Sequence, residues 1–128
     1  MSSIEPVAEA QNRHHESAVK HVTGAALYID DLPELPGQLH VATGKSVHAH
    51  AKIVKLDLSA VLDAVGVIDV ITFQDIPGEA DVGPVYEGDP LLVDEVVNFI
   101  GQPIFAVAAT SLKAAKRAAE LAVIEYEL

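Results

Sequence analysis

The chain has 128 residues, half of them hydrophobic, and a formal net charge of −11. This length fits one globular domain that buries roughly two-thirds of its unfolded surface, and the negative charge argues against sequence-independent binding to nucleic acid or to an anionic membrane. Because there is no cysteine, disulfides, thiolate zinc sites, cysteine nucleophiles and cysteine-ligated iron–sulfur clusters are excluded within the chain.

Residues 1–13 are small, polar and acidic and show no periodicity, which predicts a flexible leader. Neither this stretch nor any later run has the apolar length of a signal peptide or a membrane span, so we expect a soluble, cytoplasmic protein. His14, His15 and Glu16 follow the leader. A histidine pair beside a carboxylate can bind metal, but the second histidine of a zincin helix is missing here. We interpret these residues as an exposed entry to a domain over residues 14–128.

The next stretch combines a short apolar run with a turn cluster. The letters ALYI, at residues 26–29, predict a short strand, and Asp30 and Asp31 open turns that continue to Gly37. Adjacent carboxylates can hold a hard cation such as magnesium. Aspartates in turns more often accept hydrogen bonds from backbone N–H groups, and this is our interpretation.

A strand is predicted from Gln38 to Val47, and its end imitates a phosphate-binding loop with the letters GKS at residues 44–46. That motif requires a glycine where Leu39 stands, and a helix afterwards whose amides face the phosphates. Residues 48–57 instead alternate as a strand does. The sequence therefore argues against nucleotide binding.

On such a strand, His48 and His50 would point to the same face, close enough to share a divalent metal. No third ligand is evident nearby. We therefore interpret them as exposed or hydrogen-bonded histidines.

Residues 58–64 predict a short helix that is capped by Ser59 and ended by Gly66. Residues 67–72 then predict a strand. Together with the preceding strand this makes a β-α-β unit, although the helix is very short for a crossover.

Phe73 to Ile100 is an acidic segment with no Lys, Arg or His. Its carboxylates are Asp75, Glu79, Asp81, Glu87, Asp89, Asp94 and Glu95. They can supply calcium ligands but lack the dense spacing of a calcium-binding loop. We interpret the segment as a solvated loop with a short strand near Leu91 to Val93, and expect it to lie near an interface or the substrate route.

Val96 to Leu128 is the most strongly patterned stretch. Ile104 to Ala109 predicts a buried strand, and a helix follows from Leu112, capped by Thr110 or Ser111. Apolar residues at helical spacing predict its buried face. They are Leu112, Ala115, Ala119 and Ala122. Ile124 to Leu128 alternates as a strand with one wet face.

Three stretches carry a resemblance to a known family: VTGAALYIDDLPELPGQLHVA, SVHAHAKIVKLDLSAVLDAVGVIDVITFQDIPG and NFIGQPIFAVAATSLKAAKRAAELAVIEYEL. In this order they resemble the opening domain of the molybdenum-binding chain of xanthine dehydrogenases, which belong to the wider molybdenum hydroxylase family with aldehyde oxidases and carbon monoxide dehydrogenases. The resemblance implies an α+β fold over residues 14–128, the α/β-hammerhead, with a mixed β-sheet and two main helices.

The resemblance also implies an activity for a larger enzyme. Members of the family hydroxylate purines or aldehydes at a molybdenum–molybdopterin centre with water as the oxygen source, and electrons pass through two [2Fe–2S] clusters to FAD and then NAD. The molybdenum contacts and the general base lie in a later region of the family's chains. No catalytic, cofactor-binding or metal-binding residue is therefore expected here, and the implied partners are the remaining molybdopterin-binding region and the iron–sulfur and FAD subunits or domains.

Two hypotheses of function remain open. In the first, the chain is a structural fragment of a xanthine dehydrogenase and is inactive alone; in the second, it is a stand-alone interaction or small-ligand-binding module with a hammerhead fold. The chain stops at Leu128, at the end of an alternating strand with no polar tail, from which we expect a fragment. An exposed edge there can pair with a second copy, so we expect the isolated chain to be able to form homodimers.

Overall fold

The computed structural model describes residues 15–85 and 88–128, and the chain divides into two units, Met1–Glu34 and Leu35–Leu128. The helices and strands, in chain order, are α1 (Ala18–Thr23), β1 (His40–Lys45), β2 (Ala51–Asp57), α2 (Ser59–Leu62), β3 (Val67–Ile71), β4 (Val96–Val97), β5 (Pro103–Ala109), α3 (Leu112–Ala119) and β6 (Val123–Glu127). The predicted leader and His14 lie outside the described residues. None of the described helices is long and apolar enough to cross a membrane.

The first sheet has the strand order β1-β5-β3, and both ladders are antiparallel. On the central strand β5, Val107 lies opposite Ala42 of β1 and Val70 of β3. Ile104, Phe105 and Val107 are at most 1% exposed, as expected for a continuous apolar run that is covered on both faces. The predicted strand from Ile104 to Ala109 is confirmed.

The second sheet has the order β4-β2-β6, again with antiparallel ladders. Ile124 and Tyr126 of β6 are half-buried, whereas Glu125 and Glu127 are exposed, so the predicted alternation is confirmed. Leu128, beyond the strand, is exposed as well. β6 lies at an edge of this sheet among the described strands, as the homodimer hypothesis requires.

The predicted β-α-β unit is wrong, because β2 and β3 belong to different sheets. α2 has only four residues, whereas a parallel crossover needs a dozen or more. The short helix instead carries the chain from one sheet to the other. The α+β hammerhead class is confirmed, but the strands form two three-stranded antiparallel sheets and not the one mixed sheet that we expected.

Asp57, and not Ser59, provides the side-chain acceptor at the start of α2. The Asp57 carboxylate accepts hydrogen bonds from Ser59 Oγ at 2.7 Å and from the Ser59 N–H at 3.1 Å. These bonds lower the pKa of Asp57. The predicted cap was wrong because Ser59 is already the first residue of the helix, where its hydroxyl donates to the carboxylate.

α3 begins as predicted, with Ser111 Oγ accepting a hydrogen bond from the Ala114 N–H at 3.2 Å. Its buried residues are Ala115 and Ala118, and the helix packs on β1 and β5. The predicted face was partly wrong, because Leu112 is 45% exposed and the helix ends before Ala122. Alanine on the buried side lets the helix lie close to the sheet.

One hydrophobic cluster contains residues of both sheets and both helices of Leu35–Leu128. Its largest fully buried side chains are Phe105, Ile104, Val61, Val97 and Val107. Aliphatic side chains dominate this set, as the low aromatic content of the chain requires. The core therefore depends on close packing around a single phenylalanine.

In the unit Met1–Glu34, the ALYI stretch is not a strand. A 3-10 turn occupies Ile29–Asp31. Asp31 Oδ2 accepts a hydrogen bond from the Tyr28 N–H at 3.0 Å, and the Asp31 N–H donates to the Tyr28 carbonyl at 3.0 Å. The strand prediction was wrong because this side chain closes a local turn. The interpretation of the aspartates as turn-forming is confirmed for Asp31.

Candidate functional site

The candidate histidines are placed differently from the prediction. His48 and His50 lie in the bend between β1 and β2, so they do not share a strand face. The His48 ring is half-buried and meets the Tyr126 ring edge-on, with 4.6 Å between centroids, and His50 is exposed. Near the N-terminus, His15 Nδ1 accepts a hydrogen bond from the Ser17 N–H at 3.2 Å. Both rings that make these contacts have local structural roles.

A buried polar junction explains why the strand is interrupted before His48. Ser46 and Gln102 are 3% and 2% exposed. The Ser46 N–H donates to the Gln102 carbonyl at 2.9 Å, and the Gly101 N–H donates to the Ser46 carbonyl at 2.8 Å. Gln102 Oε1 accepts from the Asn98 N–H at 2.7 Å. The junction ties the bend after β1 to the entry of β5.

Ser46 also holds the bend itself. Its Oγ accepts from the His48 N–H at 3.0 Å and donates to the His48 carbonyl at 2.9 Å. Sequence reasoning noticed Ser46 only as the last letter of a false phosphate motif and Gln102 only as part of a strand entry. A polar residue directly before a strongly apolar strand was the signal available for Gln102.

Gly44 of the same GKS letters has a packing role. A Cβ at this position would lie 2.0 Å from Phe105 Cε1, inside the space of the buried ring. The chain after Ser46 forms a bend and then strand β2, with no helix to face a phosphate. The expectation of a strand after this motif is confirmed, and the glycine is explained by the core.

In the acidic segment, Asp81 organises the backbone. Its carboxylate accepts hydrogen bonds from the N–H groups of Gly88 at 2.5 Å, Gly83 at 2.8 Å and Asp89 at 3.2 Å. These bonds lower the pKa of Asp81. An isolated bridge pairs Asp81 with Pro90. The segment is therefore a loop held by its own carboxylate, and the predicted Glu87 lies outside the described residues.

Two further details correct the prediction for this segment. Leu91 to Val93 is not a strand; the short strand lies at Val96–Val97. Leu92 and Val93 are nevertheless buried, and the Val93 N–H donates to the Pro103 carbonyl at 3.0 Å. The apolar letters marked burial correctly, but the ladder to β2 forms three residues later.

A groove of about 430 Å³ lies between α3 and the residues that follow α2, Ala64 and Val65. The titratable groups that line it are Lys113 and Arg117, and Ser111 Oγ is engaged as the cap of α3. Such a lining offers no general base for the hydroxyl. The groove is not arranged for nucleophilic or acid–base catalysis.

Comparison with known proteins decides the family. The family model described as "Aldehyde oxidase and xanthine dehydrogenase, a/b hammerhead domain" matches residues 23–128. The chain belongs to this family. Aldehyde oxidase 4 of Mus musculus is 43% identical and aldehyde oxidase 2 of Macaca fascicularis 46% identical, each over 113 residues and 88% of this chain.

The hammerhead domain is also seen in solved structures. The aldehyde oxidoreductase from Desulfovibrio desulfuricans is 32% identical, with a TM-score of 0.76 over 88% of this chain. The match covers 14% of that structure's chain, and 8% of each aldehyde oxidase named above. The hammerhead chain thus spans a small part of its molybdenum hydroxylase relatives.

The donor groups of this hammerhead domain do not fit the metal groups of the family. The chain has no cysteine to bind an iron–sulfur cluster. Within residues 15–85 and 88–128, no group of three histidine or acidic side chains is placed to hold a metal ion. No step of catalysis is assigned to these residues, and the absence of catalytic and ligand residues stays a prediction.

Proposed function

We propose that these 128 residues are the structural hammerhead domain of a larger molybdenum hydroxylase and are inactive alone. One observation carries the proposal: the family model matches residues 23–128, whereas the chain covers only 8% of the aldehyde oxidases to which it is similar. The roles of two buried polar residues among the described ones support it. Ser46 and Gln102 hydrogen-bond to each other and join the bend after β1 to the entry of β5. The domain would then frame a catalytic region and meet the molybdopterin-binding, iron–sulfur and FAD parts.

We further propose that the complete enzyme is a cytoplasmic xanthine dehydrogenase. It would hydroxylate purines with water as the oxygen source and pass electrons through [2Fe–2S] clusters and FAD to NAD. The support is the wording of residues 26–40, which resembles the xanthine dehydrogenase branch most closely.

Aldehyde oxidation is the second candidate activity. It is favoured by the relatives at 43% and 46% identity, both of which are named aldehyde oxidases. Because the chain covers only 8% of these relatives, the choice between purine and aldehyde has to be tested on the complete enzyme.

The test begins with the reading frame that contains these 128 codons. We expect it to encode several hundred further residues, and the complete polypeptide, produced with its iron–sulfur and FAD partners, to contain molybdenum and reduce NAD with hypoxanthine. The ratio of kcat/KM for hypoxanthine to that for benzaldehyde separates the two activities. A higher value for benzaldehyde would replace the xanthine assignment, and a frame that stops at Leu128 would contradict the domain proposal and favour a stand-alone module.

A further inference from the structure

The described residues of the unit Met1–Glu34, residues 15–34, form a segment that we call the arm. None of these described residues is buried. Its exposed residues include large apolar side chains: Val19, Val22, Leu27, Tyr28, Ile29 and Leu32. Leu27 is 73% exposed and Ile29 86% exposed. Leu27, Tyr28 and Ile29 are adjacent in the chain, and exposed apolar patches mark sites of interaction.

The arm has a defined local conformation. The N–H groups of Ala25 and Ala26 both donate to the Lys20 carbonyl, at 2.9 Å and 3.0 Å. Tyr28 Oη lies 3.2 Å from His21 Nδ1, which joins α1 to the stretch after it. α1 has six residues, however, and helices of this length are not stable in water without packing. Packing against a further surface would therefore stabilise the arm in this shape.

The similarity to full-length enzymes extends into the arm's unit. The unit Leu35–Leu128 contains 94 of the 128 residues. A match that covers 88% of this chain is longer than this unit, so it must also include residues of Met1–Glu34. The structural match to the aldehyde oxidoreductase covers 88% of this chain, so it also extends past that boundary. Part of the unit Met1–Glu34 therefore occurs in relatives whose chains extend far beyond the matched region.

From these observations we propose that the arm docks onto the part of the molybdenum hydroxylase polypeptide that lies outside these 128 residues. The inference rests on the proposed function. Leu27, Tyr28, Ile29 and Leu32 enter an apolar surface of that part, and the turn closed by Asp31 presents them. Covering these side chains removes apolar area from water, which supplies the free energy that holds the short helix in place.

Hydrogen exchange tests the docking directly. In the 128-residue protein, amides of residues 25–32 should exchange with at most roughly 10-fold protection, because exposed local hydrogen bonds open easily. In the complete polypeptide the same amides should exchange at least about 100-fold more slowly. Amides of β5 serve as the internal check that the domain is folded in both samples.

A pair of double variants sharpens the test. L27S/I29S changes the arm, and L62S/V65S changes exposed side chains of the unit Leu35–Leu128 as a matched control. In the complete polypeptide, L27S/I29S should abolish the slow exchange of residues 25–32, and L62S/V65S should leave it unchanged. Equal loss in both variants would contradict a specific role of the arm.

The remaining outcomes separate this inference from the proposed function. Hypoxanthine or aldehyde turnover by a complete polypeptide whose arm exchanges as fast as in the 128-residue protein would overturn the docking alone. Slow exchange of the arm in a polypeptide without molybdenum or turnover would overturn the proposed function while supporting docking. Slow exchange already present in the 128-residue protein, or rising with its concentration, would assign the arm to its own chain or a second copy and overturn the proposal.

Discussion

β5 and the arm contain the same kinds of apolar side chain in opposite surroundings. Ile104 of β5 is 1% exposed, whereas Ile29 of the arm is 86% exposed. β5 is paired on both edges by β1 and β3, and the described arm residues form a short helix and a turn with none of them buried. β5 therefore stabilises the unit Leu35–Leu128 through contacts within these 128 residues. The arm's side chains contribute to stability once another surface covers them.

The largest loss of stability is expected when the buried ring of Phe105 in β5 is removed. F105A should lower the free energy of unfolding by about 3–5 kcal/mol, because a fully buried aromatic side chain is replaced by a cavity. Urea denaturation of the 128-residue protein measures the change. The control is F99A, at a ring that is 49% exposed, and an equal loss in both variants would contradict the assignment of Phe105 to the core.

Adding one methyl group next to that ring tests the same core from the other side. G44A should lower the free energy of unfolding by about 1–3 kcal/mol, because its Cβ collides with the Phe105 ring. In the double variant G44A/F105L the smaller side chain should relieve part of the collision. Additive effects of the two substitutions, measured in a double-mutant cycle, would show that Gly44 does not act through Phe105.

The polar junction beneath the bend should have a comparable or smaller effect. Q102L leaves the Asn98 N–H without its acceptor and should cost about 1–3 kcal/mol. Q38L is the matched control, since Gln38 accepts from the Leu35 N–H at an exposed turn; it should change stability by less than about 0.5 kcal/mol. An unchanged free energy of unfolding in Q102L would contradict the role of the Gln102 side chain in the junction.

The smallest expected effect is the pH dependence of the acidic loop. Hydrogen bonds from Gly88, Gly83 and Asp89 lower the pKa of Asp81 from its usual value of 3.8. The ionised carboxylate therefore stabilises the folded loop above pH 3.8, and this stabilisation is lost as the pH falls through the pKa of Asp81 in the folded protein. The Gly88 amide should therefore exchange more slowly in the wild type than in D81N at neutral pH. The difference should shrink once the carboxylate is protonated. A pH-independent difference would contradict the role of the ionised carboxylate.

Local sequence patterns predicted several helices and strands of the unit Leu35–Leu128. The apolar run of β5, the cap at Ser111 and the alternation of β6 each follow from the spacing of neighbouring residues. The family resemblance then supplied the hammerhead class, which the fold and the comparisons confirm.

Two of the errors occurred where distant residues decide the local structure. The bend at His48 and His50 depends on Ser46 meeting Gln102, more than 50 residues later in the chain. The division of β2 and β3 between two sheets depends on their different partners, β6 and β5. Sequence spacing contains no record of these pairings. For the candidate site, the sequence excluded cysteine chemistry, but it did not show that Ser46 and Gln102 are the buried polar groups.

We propose that these 128 residues form a structural domain without catalytic machinery of their own. The most direct measurement is elemental analysis of the purified 128-residue protein after exposure to molybdenum cofactor, together with an assay of hypoxanthine oxidation. We expect no molybdenum above the blank and no turnover, with β5 amides protected to show that the domain is folded. Stoichiometric molybdenum or turnover above the blank in that folded protein would contradict it.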